Sequence, residues 1–491
     1  MPATRWLALL ILGSAAFRLA LAGSTGLGID ESYMVAAGRD LAWGYFDHPP
    51  IPWWLSAGAA KLLGTEAPLA VRLPFVALFA LTTWLMFRLT RDVVCASRAC
   101  GAAGDVGERA GLWAAVTLNM APVLGVTTAT WVLPDGPLVA ALLGFGWAFH
   151  RAIRGDSWAA WLAAGLCAAL ALLSKYTAAL TLAGAFVALL TLAPRRLLGP
   201  KPWVAGLVAL AGFLPVLAWN AANGWASFAF QGARAGVRKL ALGAPFATIA
   251  GEALFLLPWI WLPLAWLWLR ALRNGPREAG PWLLAWLGFV PITLFVVISA
   301  WSPRVLYHWA APGYLFAFPL LGVWIAANLH RVAQRRTLAG TAMFLVGALS
   351  LAAVEMNLNL LRLPGDPLRQ GLDWVPLRAA LEQRGLLTHP VAAPSWSDAG
   401  KLDYALGNAP PVYCLNADCR QFAHRPRTAA GLIGQDVLLL APRQDEARIR
   451  ASYGPLFQSI EALPPVVFAL PGRAEVTMGA YLGRGLRDIP R

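Results

Sequence analysis

Residues 29–55, IDESYMVAAGRDLAWGYFDHPPIPWWL, gather four carboxylates (Asp30, Glu31, Asp40 and Asp47), a histidine and a set of aromatic rings within an otherwise apolar chain. An Asp-Glu pair has two uses. It caps a helix, because a carboxylate accepts from the first free backbone N–H groups and suits the positive end of the helix dipole. At a membrane surface, where partial desolvation tunes its pKa, it also serves as a general base for an acceptor hydroxyl. Asp47 and His48 precede Pro49-Pro50, which fix the backbone behind them. The imidazole is then held rigidly, as a phosphate-contacting or proton-handling group requires, although a surface histidine before a turn has the same pattern.

Polar residues elsewhere fall at the ends of apolar runs. Asp135, in TATWVLPDGP, is either a turn aspartate before glycine or a substrate contact. Lys175 and Tyr176, in LLSKYTA, place a cation where two runs meet; it either snorkels or faces an anionic headgroup. Arg304, Tyr307 and His308, in SPRVLYHWAAPGY, repeat the arrangement at another boundary. Interfacial anchoring accounts for the tyrosine and tryptophan there better than for Arg304. Arg234, with Arg238 and Lys239, belongs to a solvated loop or faces phosphate, and Glu252 and Glu355 read as structural polar residues.

The elements that must position these groups are membrane spans. Mean hydropathy is +0.57, with 58% hydrophobic and 13% charged residues over 491 positions, which excludes a string of soluble domains. The sequence predicts a polytopic α-helical membrane protein of about eleven spans, at 6–22, 67–89, 110–126, 134–150, 158–174, 176–193, 203–219, 246–270, 281–299, 308–328 and 338–356. The net charge of +15 forms no basic stripe, so nucleic acid is not a partner. Counting Lys and Arg gives sixteen in the loops on one side against eight on the other, which puts the N-terminus inside. The first segment then reads as a retained signal anchor, and the acidic loop and the tail both lie outside.

That first outer loop, 24–66, reads as two interfacial helices, Ser32 to Trp43 and Ile51 to Leu63. Residues 1–356 form the membrane domain. From Asn357 the apolar runs shorten to strand length at Val391–Ala393, Pro411–Leu415, Asp436–Ala441 and Val466–Ala469, and helical patterns cover Ser397–Leu406 and Asp445–Tyr453. Residues 357–491 are therefore expected to be a soluble α/β domain, with no GxGxxG and no P-loop. Cys414 and Cys419 fit a disulfide or two free thiols equally, and no cysteine spacing suggests zinc. No motif demands a cofactor. The acids lack the density that compels a divalent cation, whose use the sequence leaves open.

Taken together, Asp30-Glu31, GYFDHPPIPWWL, AVRLPFVAL, LPDGP, SKYTA, WNAANGWASFAFQ and LYHWAAPGYLFAFPLLG resemble the GT-C superfamily of polyprenyl-phosphate-sugar-dependent glycosyltransferases. That group includes protein O-mannosyltransferases and the aminoarabinose transferase of lipid A, and the pattern is similar to a bacterial branch containing galacturonosyl transferases. The resemblance covers the chain to about residue 356 and is looser over the tail. It implies an inverting transfer, on the periplasmic side of the bacterial inner membrane, from a polyprenyl-phosphate-linked sugar to lipid A, lipopolysaccharide or another glycolipid, with protein as the alternative acceptor. Asp30 matches the family's first-loop base, oriented with the sugar by Glu31 and Asp47. His48, Lys175, Arg304 and Tyr307 would hold the donor phosphate, and Asp135, Tyr176, His308 and Arg234 would contact substrate. A lipid or solute transporter is the other class. Its repeated halves and mid-bilayer charges are not seen, whereas here the ionisable residues gather at one membrane face.

Overall fold

The structure is a computed structural model that describes residues 2–96, 104–236, 240–302, 305–362, 371–442, 445–470, 472 and 475–490. The chain divides into two compact units. The first comprises Met1–Ala20, His48–Pro52 and Leu73–Gly347; the second comprises Leu21–Asp47, Trp53–Arg72 and Ala348–Arg491.

The first unit is a helical membrane body. Among the described residues, six helices are long and apolar enough to cross a bilayer: Ala3–Ser24, Pro68–Ala96, Pro200–Ala222, Ala279–Ser299, Tyr307–Asn328 and Val332–Leu358, three of which continue into the second unit. Asp135–Gly155, Trp158–Ser174 and Ala178–Leu192 add three further apolar helices. Every expected span is helical, but two are not single rods. The expected span 246–270 breaks between Ala244–Leu256 and Pro258–Arg277, which meet at 115°. Pro258 cannot donate a helical hydrogen bond, and Leu257 before it sits at φ 69°, outside the helical well.

The expected span 110–126 bends by 83° between Asp105–Asn119 and Val123–Thr130. Pro122 and a π-helical turn at Val123–Thr127 interrupt the ladder there. Arg18, buried in the first span, donates to the Gly125 carbonyl from Nε at 3.0 Å and Nη2 at 2.7 Å, and its guanidinium lies 4.5 Å from the Phe79 ring centre. A carbonyl freed by irregular backbone is thus satisfied inside the protein, as an apolar solvent requires. Small side chains let the helices close. Asp135–Gly155 packs on Trp158–Ser174, which packs on Pro200–Ala222, while Ala279–Ser299 packs on Ala178–Leu192. Leu, Ala and Phe side chains from these helices form one continuous core.

The second unit combines loop and tail. Its sheet holds β1 (Val391–Ala393), β2 (Val412–Cys414), β3 (Val437–Ala441), β4 (Phe457–Phe468) and β5 (Val476–Leu486), in the order β2-β1-β3-β5-β4. β1 pairs parallel with β2 and β3, and the β4–β5 hairpin joins β3 antiparallel. β3, read from VLLLA, is buried throughout, as a central strand should be. β5 carries no strong sequence signal, since Gly479, Gly483 and Gly485 dilute its β-branched and aromatic content. Burial against β3 and β4 makes it a strand.

Helix Ile29–Gly38 packs against helix Trp396–Leu406. At Gly400 an added Cβ would lie 2.8 Å from the Tyr33 Cα, so only glycine permits this approach. Polar links reinforce it. Asp403, with a fully buried side chain, accepts from Arg39 at 3.1 Å and Arg425 at 2.6 Å, while Arg39 also grips Glu66 and Arg425 also grips Asp40. Lys401 donates to the carbonyls of Leu27 and Leu372. Cys414 and Cys419 are joined as a disulfide, which resolves the alternative left by the sequence.

Candidate active site

In the second unit the acidic helix starts at Ile29, five residues after the first helix ends at Ser24. The capping reading of Asp30-Glu31 is realised on Glu31. Glu31 is the capping carboxylate: its Oε2 accepts from the Gly28 N–H at 2.9 Å. Its oxygens also take Arg72 Nε at 2.8 Å and Nη2 at 2.6 Å, with both side chains buried. Arg72 spends its remaining donors on the carbonyls of Ala22, Thr25 and Gly26. Glu31, expected to orient the base or the sugar, thus takes part in fixing the helix start.

Asp30, in the same first turn, is exposed to solvent. Asp47 is buried, accepting from the Tyr33 hydroxyl on Oδ1 at 3.1 Å and from Arg420 on Oδ2 at 3.2 Å. Burial pushes the Asp47 carboxyl above the usual range; Arg420 and the Tyr33 hydroxyl pull it back, and the neighbouring Asp30 pushes it further up. The loop thus supplies one accessible carboxylate and one sheltered carboxylate within electrostatic reach of each other. Tyr33, buried and beside Asp47, is held strongly to its O–H form.

In the first unit, four of the expected residues come together. Lys175 ends helix Trp158–Ser174 in an extended conformation, φ −156° and ψ 136°, which turns its side chain out of the helical path. Its Nζ donates to both oxygens of Asp135 at 2.9 Å. Asp135 opens its own helix, and Gly136 after it allows close contact with the preceding turn, where an added Cβ would meet the Thr128 carbonyl at 2.8 Å. His48 lies within electrostatic reach of Asp135, and His308 within reach of both Asp135 and Lys175. Prolines on either side of the pattern, in DHPP and LPDGP, stiffen the backbones that carry it.

The remaining expected residues are placed differently. Tyr176 turns to the Ser227 hydroxyl at 2.6 Å and packs on Phe228. Tyr307, half exposed, covers Gly251 and neighbours Phe255, which also flanks His308. The Arg234 guanidinium stacks over Phe230 and Trp309. Arg304, Arg238 and Lys239 lie outside the described residues. Sequence reasoning missed Tyr33, Arg72 and Arg420 as partners of the loop acids. Arg72 had a signal, being a charge inside the apolar AVRLPFVAL; Arg420 had none, because its partner is 373 residues away in sequence.

A family model for dolichyl-phosphate-mannose-protein mannosyltransferase matches residues 47–219. ArnT from Cupriavidus metallidurans in the apo state superposes with a TM-score of 0.64 at 15% identity, covering 97% of this chain and 98% of that one. The same protein bound to undecaprenyl phosphate gives 0.63, with equal identity and coverage. The Pmt1-Pmt2 protein O-mannosyltransferase complex of S. cerevisiae matches over 46% of this chain and 34% of that chain at 20% identity, with a TM-score of 0.35. No curated protein sequence matches. At this identity the likeness to ArnT shows a shared fold.

Proposed function

We propose that this membrane protein transfers a sugar with inversion from a polyprenyl monophosphate carrier to an acceptor on the periplasmic face of a bacterial inner membrane. Lipid A, lipopolysaccharide or another glycolipid is the acceptor. The observation that carries the reading is the Lys175–Asp135 pair with His48 and His308 around it, a charge cluster positioned by helix ends in the membrane body. As the bond between the sugar C1 and the phosphate oxygen breaks, negative charge grows on the departing lipid phosphate. A fixed ammonium and two imidazoles stabilise that charge, while Asp135 keeps Lys175 extended before the donor arrives. Arg304 and Tyr307 complete the phosphate contacts, and Tyr176 and Arg234 contact the substrate.

Asp30 is the accessible carboxylate, so it takes the acceptor's proton as that oxygen forms its bond to C1. Asp47 orients the sugar, and Glu31 fixes the helix that presents Asp30. The electron pair of the broken bond leaves with the polyprenyl phosphate. ArnT bound to undecaprenyl phosphate, which shares this fold, supports a lipid phosphate as ligand. The excess of Lys and Arg on one side supports a cytoplasmic N-terminus, and the Cys414–Cys419 disulfide supports an oxidising compartment for the tail.

The test supplies the purified protein with radiolabelled undecaprenyl-phosphate sugars and lipopolysaccharide. Label should pass to lipid A or core sugars and be lost with Asp30→Asn. Transfer undiminished by that substitution removes Asp30 as base, and an unchanged lipid A mass spectrum in a deletion strain removes the acceptor. Protein is the second acceptor class, favoured by the mannosyltransferase family match over residues 47–219. Label incorporated into polypeptide in the same assay selects it.

A further inference from the structure

The C-terminal sheet carries a turn that reaches back to the acidic loop at three points. β2 ends at Cys414, and the disulfide to Cys419 closes the turn that follows it. Leu415 is tied to the sheet by its N–H to the Ala393 carbonyl at 2.9 Å, and Asn416 Nδ2 reaches the Pro394 carbonyl at 2.8 Å. Arg420 follows at once, in the left-handed region at φ 47°, a conformation that non-glycine residues adopt only when surroundings hold them. Its guanidinium carbon lies over Trp396, 3.5 Å from the ring centre, and Nη1 donates to Asp47 at 3.2 Å.

Gln421, almost fully buried, completes the contact. Its N–H donates to the Tyr33 hydroxyl at 3.1 Å, which in turn donates to Asp47 at 3.1 Å, and its Oε1 accepts from the Phe46 N–H at 2.9 Å. Trp396 closes the ring by meeting Tyr33 edge-on at 5.2 Å. Each oxygen of the Asp47 carboxylate therefore has a partner whose position is set by the disulfide-closed turn. A loop acid thought of as belonging to the membrane domain is held by the tail.

Resting on the reading of Asp47 as a site carboxylate, we propose that Arg420 is a positioning residue for the transfer reaction, holding Asp47 ionised and in one rotamer from the disulfide-closed turn. Among the described residues, Arg420, Tyr33 and Asp30 face Asp47, and Arg420 brings a positive charge. Removing it leaves burial and Asp30 acting in the same direction, so Asp47 takes up a proton at higher pH. The tail then governs the ionisation of Asp47. Opening the disulfide frees the segment that carries Arg420 and acts in the same sense.

The experiment measures the pH profile of sugar transfer by the full-length protein in proteoliposomes, with radiolabelled undecaprenyl-phosphate sugar as donor and lipopolysaccharide as acceptor. Arg420→Ala should lower kcat about tenfold or more at neutral pH, leave KM for the donor within about twofold, and move the acid limb to higher pH. Arg420→Lys, which keeps the charge but loses the flat stacking surface, should recover part of the rate and return the limb towards wild type. Cys414→Ser combined with Cys419→Ser should shift the limb in the same direction as Arg420→Ala. Asp47→Asn is run in parallel. If it is impaired while Arg420→Ala and Arg420→Lys keep the wild-type profile, the inference on Arg420 is overturned alone. If Asp47→Asn transfers at the full rate, the reading of Asp47 fails and takes this inference with it.

Discussion

Arg72 and Glu31 form a buried, two-pronged ion pair, with Nε and Nη2 of one 2.8 and 2.6 Å from the two carboxylate oxygens of the other. The pair joins the start of the acidic helix to the start of the second span, and it leaves Asp30 as the exposed carboxylate of the first turn.

Stability and activity should therefore separate at adjacent positions. Glu31→Ala strands a buried guanidinium and should cost about 3–5 kcal/mol, read as a lower thermal midpoint in detergent. Asp30→Asn, at an exposed site, should change stability by less than about 0.5 kcal/mol while slowing transfer about a hundredfold. Equal thermal losses in the two variants would contradict this division.

Lys175 and Asp135 make the complementary test. Either single alanine variant leaves a buried charge and should destabilise the protein; the double variant should recover much of that loss, because no charge is then left uncompensated. Transfer should stay at least about tenfold down in the double variant. Recovery of both stability and transfer would make the pair structural only.

Lys401 gives the second unit a pH signature. Burial lowers its pKa to about 8, against 10.5 for an ordinary lysine. Between those values the unfolded chain binds the extra proton, so stability rises with pH across the window and gains nothing below about pH 8. The rise should amount to at most about 3.5 kcal/mol. Lys401→Met should flatten it, as followed by thermal midpoints between about pH 7.5 and 10; a rise that survives the substitution assigns it to another group.

Gly400 fixes the distance between helices Ile29–Gly38 and Trp396–Leu406, since an added Cβ would sit 2.8 Å from the Tyr33 Cα and 3.0 Å from its nitrogen. Gly400→Ala should cost about 1–3 kcal/mol and reduce transfer through displacement of Tyr33. The check is transfer rate measured beside melting temperature. A fully active, fully stable variant would show that the helices have room to separate.

Apolar runs of span length needed no tertiary information, because a bilayer admits only backbone that satisfies itself, and that requirement is written locally in composition. The crowded acids, the DHPP stiffening and the cation in SKYTA were equally visible as residue types. Their division of labour was not. Asp30 and Glu31 are indistinguishable as neighbours in sequence; a charge from the second span buries one and leaves the other in water. The bend at Leu257–Pro258, the pairing of Lys175 with Asp135 40 positions away, and the reach of Arg420 to Asp47 depend on long-range packing. Electrostatic and steric partners act through space, so tertiary structure alone decided which of the legible residues stand together.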